Sequence, residues 1–140
     1  MYRRGVAEVV GEYDRDAFLA EDYDYWLRIS KVAPLAHLSG AAPYRFRVHP
    51  ASLTSTRGAE AELQAARVRA KYARTRQEQC RVLAEGHCAA AAELRWTGRY
   101  REALRHNIEA IRLCAAEPSL YGALLLTCGC VLLHRKPKAA

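Results

Sequence analysis

Two adjacent carboxylates, Glu21 and Asp22, are the residues of this chain whose type and position best suit acid–base chemistry. They come directly before a segment with an aromatic and apolar face, which predicts that they begin a helix. The free N–H groups and the positive end of the helix dipole keep carboxylates at this position ionised. An ionised carboxylate there can act as a general base, although it can equally serve only as a helix cap.

A short strand that carries two cations is predicted over Tyr44–Val48. Its alternate apolar residues point to one side, so that Arg45 and Arg47 point to the other, and His49 ends the strand. Arginine and histidine beside an acid suit a phosphate-bearing ligand, because the cations hold the oxyanions while the acid moves a proton. The alternative is that the arginines keep an edge strand soluble and that His49 binds nothing.

Two regions of different composition must position these residues. Residues 1–56 contain frequent turn signals, and the predicted elements there are helices over Arg3–Val10 and Asp22–Val32 and strands over Leu35–Leu38 and Tyr44–Val48. Residues 57–133 are rich in Ala, Leu, Glu and Arg, which predicts helices over 59–84, 87–97, 100–115 and 119–133, with breaks at Gly86, Gly98 and Pro118. The expected fold class is α+β, mainly α.

Five short motifs follow one another in the first region. They are Arg3-Arg4, Gly11-Glu12-Tyr13-Asp14, Glu21-Asp22-Tyr23-Asp24-Tyr25-Trp26-Leu27-Arg28, Tyr44-Arg45-Phe46-Arg47-Val48-His49-Pro50 and Ser52-Leu53-Thr54. In order and spacing they resemble the C-terminal half of the catalytic domain of a family-2 glycosyltransferase, which has the glycosyltransferase-A fold. The resemblance implies a partial domain of this fold over residues 1–56, followed by an α-helical extension over residues 57–140.

The resemblance also implies roles for individual residues. Asp22 would be the general base that takes the proton from a hydroxyl acceptor as it attacks a nucleotide-sugar, with inversion at the anomeric carbon. Glu21 would orient the acceptor. His49 and Arg45 would lie near the donor diphosphate, and Trp26 would contribute to substrate binding while its ring also serves the core.

The half of the domain that binds the nucleotide in this family has no counterpart in the sequence. An intact member would use Mg²⁺ or Mn²⁺ at an Asp-x-Asp motif after an apolar strand. The two such triplets present, at residues 14–16 and 22–24, do not follow an apolar strand, so neither is assigned a metal. The chain is therefore expected to be a truncated glycosyltransferase portion, inactive alone, whose missing half is supplied by another chain or lost.

The second region offers a non-catalytic alternative. Gly98, Tyr100, Ala103 and Ala110 follow the spacing of one tetratricopeptide-like repeat, although the next proline, Pro118, comes late. One repeat cannot bury its own faces, because about three are needed for stability. The alternative function is accordingly a helical protein-interaction module, and a helical extension packed on a catalytic domain fits the same pattern.

Charge and cysteine usage limit the partners and the compartment. The net charge of +7 comes from residues 57–140, but the arginines are scattered around the predicted helices, which disfavours nucleic acid as a partner. Five cysteines without a repeated ligand spacing suggest free thiols in a reducing cytoplasm rather than a metal site. The apolar run Leu120–Leu133 is too short to cross a bilayer, and the basic residues behind it leave a peripheral membrane contact open.

Overall fold

The computed structural model describes residues 2–37, 39–40, 49 and 51–133. Its helices are α1 (Arg4–Val10), α2 (Glu21–Val32), α3 (Leu53–Thr56), α4 (Gly58–Ala70), α5 (Arg76–Trp96), α6 (Tyr100–Leu113) and α7 (Pro118–Leu133), with a 3-10 turn over Arg15–Ala17. From α4 onward, each helix packs against the next one along the chain. The N-terminal part, residues 2–37, packs on α4 through α2 and the 3-10 turn.

Local signals explain where the first two long elements begin and end. Gly11 closes α1 with a φ of 77°, which glycine adopts without strain, and its N–H donates to the Ala7 carbonyl at 2.9 Å. Helix α2 ends at Val32, because Ala33 becomes extended ahead of Pro34. Both predicted helices of this region are therefore confirmed to within one residue.

A buried carboxylate, Asp24, ties the N-terminal elements together. It accepts hydrogen bonds from Arg28 Nε at 2.8 Å and from the Tyr72 hydroxyl at 3.2 Å. The same Arg28 guanidinium donates to the carbonyl oxygens of Val10 and Glu12, each at 2.8 Å. Through this network α2 holds the end of α1 on one side and the end of α4 on the other.

Helices α4 and α5 approach each other closely at Gly86. A Cβ atom built on Gly86 would lie 2.2 Å from the Cβ of Ala66, so no larger residue fits without moving a helix. Gly86 is buried in the middle of α5, and the predicted break there is wrong. The break instead lies at residues 71–75, where Thr75 caps α5 by accepting from the Glu78 N–H at 3.1 Å.

Helices α5, α6 and α7 form two successive antiparallel pairs. Ala84 of α5 lies with Ala110 of α6 at one end of the first pair, and Leu94 lies with Ala103 at the other. In the second pair the buried Asn107 amide donates to the Ala123 carbonyl at 3.2 Å and to Thr127 Oγ1. The observed bounds of α6 and α7 agree with the predicted helices over 100–115 and 119–133 to within two residues.

The expected α+β fold and the resemblance to the glycosyltransferase-A fold are wrong. The described residues are helical or irregular and include no strand. Residues 35–37, at the first predicted strand, are exposed and irregular, because a strand needs a neighbouring strand to pair its backbone groups. The second predicted strand, Tyr44–Val48, lies outside the described residues. The division at residue 56 stays a prediction.

Removing the buried carboxylate should destabilise the N-terminal part. We expect Asp24→Ala to lower the free energy of unfolding by about 3 kcal/mol, the lower end of the range for breaking a buried ion pair, because Arg28 keeps 25% of its side chain exposed. Asp22→Ala, on the same helix but exposed, should cost less than about 1 kcal/mol. Urea unfolding of both variants measures the difference, and equal effects would contradict the role given to Asp24.

The close crossing of α4 and α5 makes a second prediction. Gly86→Ala should lower the free energy of unfolding by about 1 to 2 kcal/mol. The added methyl group overlaps Ala66, and the cost of this overlap exceeds the gain in helix propensity. Gly122→Ala, in α7 with open space around it, should be neutral or stabilising. Adding Ala66→Gly to Gly86→Ala should recover part of the loss, and a Gly86→Ala chain as stable as the parent would disprove the crossing.

Candidate functional site

The predicted catalytic pair lies at the start of α2, as expected, but the two side chains differ in their surroundings. Asp22 is exposed, and its carboxylate accepts from the neighbouring Tyr23 N–H at 2.7 Å. Glu21 is half-buried, and its Oε2 atom is buried without a hydrogen-bond partner in the described part of the chain. Neither residue lines the two clefts that lie on either side of α4.

The predicted substrate-binding residues are placed separately. Trp26 is 40% exposed on α2, and its ring meets the Tyr2 ring edge-on with 5.8 Å between centroids. His49 is exposed ahead of α3, and its Nδ1 accepts from the Ala51 N–H at 3.1 Å. Arg45 lies outside the described residues. The roles given to these residues and to the Glu21–Asp22 pair remain predictions.

A groove that the sequence did not predict lies between α4 and α6, with α5 as its floor. Helices α4 and α6 both pack on α5, but their backbones stay farther from each other than from α5, so a space between them stays open. The resulting cleft has a volume of about 210 Å³. Ala59 and Leu63 line it from α4, Leu94 from α5 and His106 from α6.

Matching ion pairs stand on the two walls of this groove. Arg57 precedes α4 and pairs with Glu60, with 2.8 Å between Nε and Oε2, and Arg99 precedes α6 and pairs with Glu102 at 2.7 and 2.8 Å. Because α4 and α6 both run antiparallel to α5, their N-terminal ends lie at the same end of the groove. The repeated Arg-x-x-Glu spacing at two helix starts was the sequence signal for this arrangement.

The Arg99–Glu102 pair is held by two parallel hydrogen bonds, the geometry that suits a guanidinium and a carboxylate best. These bonds lower the pKa of Glu102 and raise that of Arg99, mainly through the hydrogen bond itself. Both groups therefore stay charged around neutral pH, and this wall of the groove keeps one positive and one negative group.

A second cleft adjoins the first across α4. Its volume is about 320 Å³, and it shares Arg57, Glu60 and Leu63 with the groove. Phe18 and Leu19, which follow the 3-10 turn, form its far wall, and the Arg57 guanidinium lies over the Phe18 ring at 5.4 Å. Leu19 has a φ of 77°, a strained value for a leucine, so the surrounding structure forces this wall into place.

Two histidines meet beside the groove. His87 of α5 and His106 of α6 bring their Nδ1 atoms to 3.0 Å, so one ring donates and the other accepts. Burial lowers the pKa of both imidazoles, and their proximity to each other lowers that of His87 further. The charged groups around the pair are Arg67 on α4, Glu102 and Glu109 on α6, and Arg99, which precedes α6.

The described residues contain no group of three or more His, Cys, Asp or Glu side chains arranged to hold a metal ion. The two-histidine pair is therefore best described as a hydrogen-bonded contact between helices. Within the same residues, no helix combines the length and apolar character that a membrane span requires.

Comparisons with known proteins add no family to this description. No protein-family model matches the chain, and neither a curated protein nor a solved structure matches it. The glycosyltransferase resemblance thus has no support from a family match, and the structure removes its fold basis.

Acid should weaken the contact between the two histidines. Because burial holds both pKa values below that of a free histidine, the unfolded chain binds more protons in mildly acidic solution. The free energy of unfolding should therefore be nearly constant between about pH 7 and 8 and fall as the pH drops below about 6.5, the unfolded histidine value. Chemical unfolding measured at a series of pH values tests this dependence.

Replacing either partner should flatten that pH dependence. His87→Gln and His106→Gln should each remove part of the slope between about pH 5 and 7, and the double variant most of it, whereas His37→Gln, at an exposed position, should leave it unchanged. A slope that the double variant keeps in full would show that other groups cause it.

Proposed function

We propose that this chain is a non-catalytic, helical protein-interaction module that binds a short segment of a partner protein in the α4–α6 groove. The observation that carries the proposal is the open space between α4 and α6 above an apolar floor. Helices α4 to α7 pack consecutively, and such arrays of antiparallel helices commonly bind partners in the grooves between their helices.

The size of the groove favours a side chain of a partner over a free small molecule. Its volume of about 210 Å³ is below the roughly 300 Å³ at which small-molecule pockets usually begin. Ala59, Leu63 and Leu94 offer an apolar surface on which one leucine, isoleucine or phenylalanine side chain can be buried. The second cleft, beyond Leu63, can take a neighbouring residue of the same segment.

The charges on the walls favour a segment that carries both signs. Arg57–Glu60 and Arg99–Glu102 present one cation and one anion on each side of the apolar floor. Each arginine is already paired with a glutamate, so a charged group of the partner can join either pair. Binding then leaves no ion buried without a partner. We therefore infer that the bound segment has an apolar anchor with polar or charged residues on both sides.

The five cysteines bear on the compartment in which the module works. All five are partly buried, and none forms a disulfide within the described part of the chain. Cys128 and Cys130 stand two residues apart on α7, so their side chains leave the helix in different directions and do not face each other. Reduced thiols of this kind support the proposal of a reducing environment such as the cytoplasm.

Peptide selection tests the groove directly. Peptides selected from a random phage-displayed library on the immobilised chain should carry an apolar anchor between charged residues. Leu63→Ser should weaken the binding of the synthesised peptides at least about tenfold, or about 1.4 kcal/mol, because it removes the apolar wall that the two clefts share. Fluorescence anisotropy measures the affinity, and circular dichroism checks that the variant is folded.

The matched control is Leu125→Ser, which removes an equally large side chain from α7, where it is 72% exposed. It should leave the affinity for the same peptides unchanged. Peptides that bind the Leu63→Ser and Leu125→Ser chains equally well, or a library that yields no binder, would count against the groove as the binding site.

A further inference from the structure

Helix α7 exposes a continuous apolar surface that the proposed groove does not use. The helix has 16 residues, none of them charged. Leu120 and Thr127, seven residues apart, are buried and mark its inner side. The outer face of α7 consists of Tyr121, Leu125, Leu126, Leu132 and Leu133, which are 43%, 72%, 58%, 66% and 84% exposed.

This exposure follows from the geometry of the helix. Successive residues turn by about 100°, so Leu125 and Leu132 lie on the side opposite Leu120 and Thr127. Gly122 and Gly129 share that side and have open space around them. The outer face therefore adds nothing to the core, and water covers apolar surface that a partner would bury with a favourable free energy.

A row of arginines runs along α6, the helix that packs against α7. Arg101, Arg105, Ile108 and Arg112 are exposed at positions i, i+4, i+7 and i+11 of α6, which places them on one side of that helix. Ile108 lies about 60° around α6 from Ile111, which packs against the cluster that contains Leu120 of α7, so this side of α6 lies next to the α6–α7 contact. Arg112 pairs with Glu109, whereas Arg101 and Arg105 form no ion pair within the described part of the chain.

From these observations we infer that the outer face of α7 and the arginine row of α6 together dock on an anionic phospholipid surface, with the leucines in the interface and the arginines against the headgroups. The sequence after α7 contains Arg135, Lys136 and Lys138, which are three further positive charges. At about 24 Å long, α7 is shorter than the roughly 30 Å hydrocarbon core and would lie in the interface instead of crossing it.

Charge distinguishes the lipid surface from a second copy of the chain. Two copies that met through α7 would bring two arginine rows and two net charges of +7 towards each other. Anionic headgroups neutralise those charges instead. The inference does not rest on the proposed function, because Glu102 and His106 face the groove while Arg101 and Arg105 lie about 100° away around α6. The groove would stay accessible on a membrane-bound chain.

Vesicle flotation with the 140-residue chain tests the inference. The chain should float with vesicles of phosphatidylcholine mixed with phosphatidylserine at low salt, and much less with phosphatidylcholine alone. Arg101→Ala/Arg105→Ala should weaken the binding roughly tenfold or more, and added salt should do the same. The control is Arg3→Ala/Arg15→Ala, which removes two exposed arginines near the N-terminus and therefore has the same net charge as the α6 variant. It should bind the vesicles almost as well as the parent chain.

A second variant separates the apolar contribution from the charges. Leu125→Ser/Leu132→Ser changes only exposed positions, so its thermal unfolding should match that of the parent chain, while vesicle binding falls at least about tenfold. Four outcomes would overturn the inference. They are equal binding to both kinds of vesicle, binding that the leucine variant retains, equal losses in the two arginine variants, and a concentration-dependent dimer that binds neither vesicle.

Discussion

The close approach of α4 to α5 at Gly86 and Ala66 constrains the rest of the structure. A Cβ atom added to Gly86 would lie only 2.2 Å from the Ala66 Cβ, so the two helix backbones are as close as a glycine facing an alanine permits. The interfaces that follow are built in the same way, around Ala84, Ala90, Ala91, Ala103 and Ala110, all buried. Helices joined by alanine lie close together, but they bury little area per residue.

Two consequences follow from a core of small residues. Large apolar side chains find little room inside and remain at the surface, as Trp96 and the outer leucines of α7 do. In addition, α4 and α6 both pack on α5 while their backbones stay apart, which leaves the groove above Leu94 open. The two surfaces for which we propose partners are therefore products of the same packing.

Polar contacts define how the helices are aligned along one another. Alanine contacts cannot do so well, because they resemble one another all along a helix. Asp24, Arg28 and Tyr72 connect α1, α2 and the end of α4 through hydrogen bonds that only one arrangement satisfies. Asn107 and Arg95 meet at Thr127 and connect α5, α6 and α7 in the same manner. Buried polar groups of this kind are expensive when misplaced, which favours a single arrangement.

Most of the helices of this protein can be read from its amino-acid sequence, because helix starts and stops are local signals. The structure confirms the helix boundaries marked by Gly11, Pro34, Gly98 and Pro118, and the carboxylates Glu21 and Asp22 do begin α2.

The position of Gly86 inside a helix became clear only from the packed structure, because Gly86 makes room for Ala66 of another helix, about twenty residues away in sequence. Residues 35–37 do not form the strand expected there for a related reason: a strand exists only when a partner strand pairs with it. The α4–α6 groove, the His87–His106 contact and the outer face of α7 depend on how helices cross, and crossing is set by packing between residues that are distant in the chain.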